Sequence, residues 1–306
     1  MRRWLAVMGG LGLAVSVLVA APGPASGGGR VIKRLAYAPA EPVGSKGHLL
    51  DLYLPRRTAH PAPLVIWSHG SGWLAENGRD GADVVAARLN PHGYAVAGVA
   101  IRSSDHAQFP GQLNDIKSAI RFLRTNAARF GLDPARIAVM GESSGGWTAA
   151  MAAVTPGERV QAAVAFYPPT EFLSMDSQML EPGRPLTHND PHSPESLLLG
   201  APIEQRPDLV EKASPIPYAA TTSPPMLILH GQRDILVPWQ QSVLLHEAAP
   251  TSTLVLLPEG GHGQWNDFLT RPATNAGAYV YPDRPVALSW DYVISFLDRA
   301  LAGPGN

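Results

Sequence analysis

A serine between glycines, a histidine between glycines and an aspartate in a strand-end turn are the residues of this chain whose types and spacing suit covalent chemistry. Gly141-Glu142-Ser143-Ser144-Gly145 has the pattern G-x-S-x-G. A serine hydroxyl is a weak nucleophile and needs a neighbouring base to take its proton. His262, in Gly260-Gly261-His262-Gly263, stands in a pliable loop from which an imidazole can reach such a hydroxyl and shuttle its proton. Asp234, at the end of the turn His230-Gly231-Gln232-Arg233-Asp234, is the carboxylate expected to fix the tautomer of that ring and to stabilise its charged form. Glu259 is a second carboxylate near His262, but on the same loop it is poorly placed to orient the ring. Each residue alone has a bland reading: a Gly/Ser-rich helix start, a surface histidine, a helix-capping aspartate. Three separate loops falling into the order Ser143, Asp234, His262 are far more specific, and the chemistry they suit is acyl transfer through a covalent serine intermediate.

Such chemistry also needs donors aimed at the developing oxyanion, each typically worth about 2.7–4 kcal/mol in the transition state. His69-Gly70-Ser71-Gly72-Trp73 follows the apolar run Leu64–Trp67. The backbone N–H groups of Ser71 and Gly72, with that of Ser144, are the expected donors. A serine at position 71 keeps its donor unless the backbone there requires a positive φ. The Ser144 hydroxyl, next to the nucleophile, is a possible competitor for His262. Trp73 and Glu142 are the candidates for substrate contact, although packing is the first role for each aromatic near these loops. His188-Asn189-Asp190-Pro191-His192 can be drawn as a metal site. It lies in a Pro-punctuated loop with no ligand-bearing helix, so neither a metal nor a cofactor is expected.

These residues need elements to hold them. Leu64–Trp67, Tyr94–Ile101, Arg136–Met140, Ala162–Phe166, Met226–His230 and Leu254–Leu257 read as strands, several apolar at every position and so buried on both faces. Val31–Ala38 and Leu49–Leu54 are two more, the second alternating around Asp51 and Tyr53. Helices are expected over Ala82–Leu89, Gln112–Phe130, Ser144–Val154, Gln240–Ala248 and Val286–Ala300. Leu113, Ile116, Ile120, Leu123 and Phe130 share one face of the second. Alternating strands and helices imply an α/β fold, a mostly parallel doubly wound sheet with helices on both faces. The stretch 168–225, after the sixth strand, is Pro-rich and long enough for an irregular, cap-like insert. G-x-S-x-G falls where a buried strand meets a helix, the strand–turn–helix setting this motif requires.

Lys+Arg is 24 and Asp+Glu is 25, a balance that argues against nucleic-acid partners and electrostatic membrane binding. With 45% hydrophobic and 16% charged residues the chain has material for a large core. No cysteine is present, which excludes disulfides, a thiol nucleophile and Cys-ligated metal. Met1-Arg2-Arg3, the apolar run Trp4–Ala21 and the small residues after it read as a secretory signal peptide over residues 1–29, cleaved between Ala20 and Gly29, ahead of one domain over 30–306. The expected destination is extracellular, with no stable membrane association after cleavage. The alternative is an uncleaved membrane anchor, for which the run is at the short limit.

Taken together, the chain resembles the α/β-hydrolases of the esterase/lipase superfamily, and within them the bacterial carboxylesterases that include the BD-FAE-like (feruloyl and acetyl-xylan type) esterases. The resemblance spans most of Val31–Ala300. His69-Gly70-Ser71-Gly72-Trp73 is similar to the HGGGW loop of that group, and Phe109–Lys117 to the segment ahead of its elbow. Ser193-Pro194-Glu195-Ser196 with Leu199-Gly200 resembles part of its cap region, and His230-Gly231 with Asp234, Val237 and Pro238 its acid turn. It implies an α/β-hydrolase fold and a cofactor-free serine esterase with the triad Ser143, Asp234 and His262. The implied substrates are small or carbohydrate-linked esters of short or aromatic acids. Departures are Ser71 for the middle Gly and Ser144 where Ala is common. A serine peptidase or acyltransferase on the same fold is the alternative, and a non-catalytic carbohydrate-binding relative is a more distant one.

Overall fold

Runs that are apolar at every position have no face to give to water, and in the computed structural model of this chain they form the middle of one sheet. The structure describes residues 29–56, 59–179 and 187–302, so the apolar leader read from the sequence lies outside the described residues. The strands are β1 (Arg30–Ala36), β2 (Leu49–Leu54), β3 (Ala62–Ser68), β4 (Ala95–Val99), β5 (Leu132–Glu142), β6 (Ala162–Phe166), β7 (Met226–Gly231), β8 (Ser252–Leu257), β9 (Tyr279–Val280) and β10 (Arg284–Pro285). They pair in the order β1-β2-β4-β3-β5-β6-β7-β8-β9-β10. From β4 across to β8 every pairing is parallel, and the two edges are antiparallel.

The connecting helices are α1 (Ala82–Leu89), α2 (Gly111–Thr125), α3 (Ala127–Phe130), α4 (Ser144–Val154), α5 (Met175–Gln178), α6 (Pro194–Leu199), α7 (Pro207–Ala213), α8 (Gln240–Ala248), α9 (Asp267–Thr270), α10 (Pro272–Asn275) and α11 (Trp290–Ala300). Alternate residues of the buried strands serve opposite faces of the sheet. Leu64 and Ile66 pack with Leu113, Ile116 and Trp147 from α2 and α4. Val65 and Trp67 pack with Val85, Leu89, Val293 and Leu297 from α1 and α11. This is the α/β-hydrolase arrangement, doubly wound with helices on both faces. After β3 the chain steps out to β4 and returns to β5 on the other side, so the loops leaving β3 and β5 diverge. A crevice at the carboxyl ends of the strands opens where the winding reverses. Ser68 and Gly141 stand opposite one another there.

Three elements differ from the sequence reading. β2 is buried along Leu49–Tyr53 and does not alternate. Its Asp51 is covered because its carboxylate accepts from Arg34 N at 2.7 Å, Arg79 Nη1 at 3.0 Å and Lys33 Nζ at 3.2 Å. The helix expected over 112–130 breaks at Asn126, whose side-chain amide donates to Phe122 O at 2.8 Å, local bonding that competes with a regular helix. The last helix begins only at Trp290, because Arg284 and Pro285 pair with β9 and Val286 N donates to Ala278 O. Between β6 and β7 the described residues contain α5, α6 and α7. This insert is tied to the body where Trp147 Nε1 donates to Ala213 O at 2.7 Å and Gln241 Oε1 accepts from Thr170 N at 2.8 Å.

Candidate active site

The serine of G-x-S-x-G ends up on a sharp corner because β5 runs straight into α4. Ser143 has φ 54° and ψ −124°, a region costly for any residue with a side chain. It persists because the surroundings leave no slack. Ser143 N donates to Phe166 O at 3.0 Å, and α4 lies so close to β3 that a Cβ on Gly145 would sit 2.0 Å from Ser68 O. The side chain is thereby held outward at the start of a helix, where free N–H groups favour negative charge.

Asp234 and His262 arrive from the ends of β7 and β8. His262 Nε2 is 3.0 Å from Ser143 Oγ, and His262 Nδ1 is 2.7 Å from Asp234 Oδ2. A carboxylate only accepts, so Nδ1 carries the proton and Nε2 offers its lone pair to the Ser143 hydroxyl. Asp234 is 1% exposed. Its Oδ1 accepts from Leu236 N and Val237 N, both at 2.8 Å. Burial alone would raise its pKa, but the imidazoles of His230 and His262 outweigh burial and hold the carboxyl well below the usual range. Glu259, the rejected alternative, pairs with Arg233 at 2.6 Å on the surface.

Three further residues support the site in roles the sequence did not assign to them. His230, fully buried, donates from Nε2 to Val237 O at 3.0 Å and stands 3.4 Å from Asp234 Oδ2, while Ser242 Oγ donates to its Nδ1 at 2.6 Å. Its signal was position: four residues ahead of the acid in a buried strand. Tyr167, just past the end of β6, lays its ring 4.7 Å from that of His262 and accepts from Trp265 N at 3.2 Å, and burial together with the Glu142 carboxylate pushes its hydroxyl pKa up. The third, His188, bridges the insert to the acid turn. It donates from Nε2 to Leu236 O at 3.0 Å and faces Glu195 with Nδ1 at 3.1 Å. Burial pushes its pKa down, but the Glu195 and Asp176 carboxylates reverse that, and the net shift is upward. Tyr167 and His188 leave no local pattern by which sequence could find them.

The loop after β3 lies over the elbow. Positive φ falls on Gly72 (60°) and Trp73 (59°) and not on Ser71, so the serine is accommodated at position 71. Ser71 N donates to Ser144 Oγ at 2.9 Å. As the first residue of α4, Ser144 has an N–H with no acceptor inside the helix. Glu142 accepts from Gly70 N at 2.7 Å. Its carboxylate therefore braces the loop from beneath while its residue lines the cleft. Trp73, 2% exposed, stands edge-on to Trp147 at 5.3 Å.

Ser143 and His262 open on a cleft of about 750 Å³ whose walls include Trp73, Pro169, Met179, Pro194, Leu236 and Trp265. These are apolar surfaces around a few convergent polar groups. Among the described residues no cluster of His, Asp and Glu is arranged to hold a metal. His188 turns to Glu195, whereas His192 is 87% exposed beside Asp190. No helix among the described residues is long and apolar enough to cross a membrane.

Comparison with known proteins places this geometry in context. A family model described as BD-FAE matches residues 50–249. Esterase LipC of Mycobacterium tuberculosis is 30% identical over 231 residues, which is 70% of this chain and 56% of LipC. Esterase LipQ of the same organism is 27% identical over 260 residues, 79% of this chain and 59% of LipQ. The chain thus spans little more than half the length of these curated relatives. A solved structure described as a truncated form of a carbohydrate esterase from gut microbiota superposes with a TM-score of 0.72 at 28% identity, covering 92% of this chain and 100% of the other.

Proposed function

The chain belongs to the BD-FAE family, and from that premise we propose that it is a serine carboxylic-ester hydrolase using Ser143, His262 and Asp234. The observation that carries the reading is the unbroken hydrogen-bond path from Asp234 through His262 to Ser143, 2.7 and 3.0 Å, at the edge of an apolar cleft. Ser143 Oγ attacks the ester carbonyl as its proton passes to His262 Nε2. Asp234, already ionised, stabilises the imidazolium. The tetrahedral oxyanion is met by backbone N–H groups at Gly72 and Ser144. Collapse expels the alcohol, which takes the proton from His262, and leaves an acyl-serine. Water then repeats the sequence, giving up its proton to His262 and releasing the acid.

For the substrate, we propose esters of short-chain or aromatic acids, including acetyl and feruloyl groups on carbohydrates. Aromatic and aliphatic walls suit such acyl groups, and the likeness to a carbohydrate esterase supports a sugar alcohol on the other side. The test is a panel of acetyl, butyryl, feruloyl and longer acyl esters. Turnover is expected on the shorter and aromatic members, and Ser143→Ala should lose about 10⁶-fold in kcat. Full activity in that variant, or inertness of the wild type toward the whole panel, would refute the assignment. We further propose that the protein is exported and its leader removed. Amino-terminal sequencing of the mature chain should start between residues 21 and 30, and an intact Met1 would exclude it.

A further inference from the structure

We infer that the side-chain hydroxyl of Ser144, and not only its backbone N–H, donates to the oxyanion, passing on to it the polarisation supplied by Ser71 N–H. The inference rests on the esterase reading above. The residue after the nucleophile is a serine here, and its Oγ accepts from Ser71 N at 2.9 Å. That bond settles which way the hydroxyl is used. With an N–H pointing at its lone pair, the oxygen has its own proton left to donate, and accepting one hydrogen bond makes a hydroxyl a better donor of the next. Among the described residues that proton has no acceptor. His262 Nε2 is engaged with Ser143, and the Glu142 carboxylate with Gly70 N.

The loop that supplies Ser71 N–H is itself held in place. Ser71 Oγ donates to Ala75 O at 3.1 Å and accepts from Ala75 N at 3.4 Å, and Leu74 N donates to Ser71 O at 3.2 Å. Ser144 is 4% exposed and lines the cleft beside Ser143. Its N and Oγ hang on adjacent carbons, so an oxygen accepting from the N–H lies within reach of the hydroxyl as well. The opposite arrangement has Oγ plugging the place the oxyanion needs on Ser71 N–H, and vacating it during each turnover. That would leave a buried hydroxyl to find new partners in a wall of mostly apolar groups, a costly move.

The two arrangements predict opposite signs for Ser144→Ala. If the hydroxyl donates, kcat on a p-nitrophenyl acetate assay falls about 100-fold while KM stays within about twofold, because the lost bond strengthens only in the transition state. A trifluoromethyl ketone, which forms the tetrahedral adduct on Ser143, should weaken by the same factor. Ser144→Thr, which keeps a hydroxyl, should recover most of both, and Ser144→Gly should repeat the loss should Ser144→Ala fail to fold. The inference is overturned if Ser144→Ala, with an unchanged melting curve, turns over at or above the wild-type rate or binds the ketone as tightly. It is overturned too if Ser144→Thr is as slow as Ser144→Ala. A wild type inert on every ester, or an active Ser143→Ala, would instead strike at the esterase reading itself.

Discussion

Ser143 and Asp234 show how far two side chains can be driven from their ordinary state by their surroundings. Ser143 sits at a positive φ that its neighbours enforce, so its hydroxyl is delivered at the cost of local strain. Asp234 is buried, which disfavours a charge, and stays ionised because His230, His262 and two backbone N–H groups supply compensating bonds. Its folded pKa lies below the unfolded value of about 3.9. The stability it contributes is therefore fully present above that value and is lost as the pH falls towards the folded pKa. In Asp234→Asn this acid-sensitive contribution is missing. Urea unfolding curves should show the gap between wild type and variant closing as the pH falls below about 4, and a gap that stays constant would contradict the assignment. At neutral pH the same variant should lose about 10⁴-fold in kcat, since an amide no longer selects the tautomer that leaves Nε2 free.

The elements fit the site through close approach of backbone to backbone. α4 lies close enough to the end of β3 that Gly145 has no room for a methyl group, the obstacle being Ser68 O and not a movable side chain. Gly145→Ala should therefore destabilise the fold by about 1–3 kcal/mol or more, read as a lower Tm. Catalysis should suffer beyond that, because the loop carrying Gly70–Trp73 leaves from the same strand end. A variant with unchanged Tm and kcat would mean that the elbow is looser than these distances imply. The elbow was legible from sequence because one tight turn makes a short, fixed pattern of glycines. The contributions of Tyr167 and His188 were not, since each acts on a residue far along the chain and nothing local marks it.

Across the whole molecule, the three proposed catalytic side chains sit at unequal depths. Ser143 and Asp234 leave the ends of buried central strands, whereas His262 rides a glycine loop pinned by Gly261 N to Gln264 Oε1 at 3.0 Å. Regions with fewer buried contacts open at lower free energy than the core. In a urea titration, hydrolytic activity should disappear before the fluorescence change of the core tryptophans Trp67 and Trp147, both fully buried. Coincident midpoints would show that the histidine loop comes apart only with the sheet. The insert between β6 and β7 adds to this picture, closing one wall of the cleft while touching the acid turn through His188.

The amino-acid sequence by itself determined the strand-and-helix alternation, the G-x-S-x-G elbow and the chain order of the proposed serine, acid and base. Hydrophobic periodicity and turn chemistry are local, so they are written in neighbouring residues. Only the tertiary structure decided that β2 is buried on both faces, that Ser71 tolerates its place because the positive φ falls on Gly72, and that Ser71 N–H points at the Ser144 hydroxyl. Those facts depend on which parts of the chain, distant in sequence, come into contact, and long-range contact leaves no periodic trace in the residues that make it.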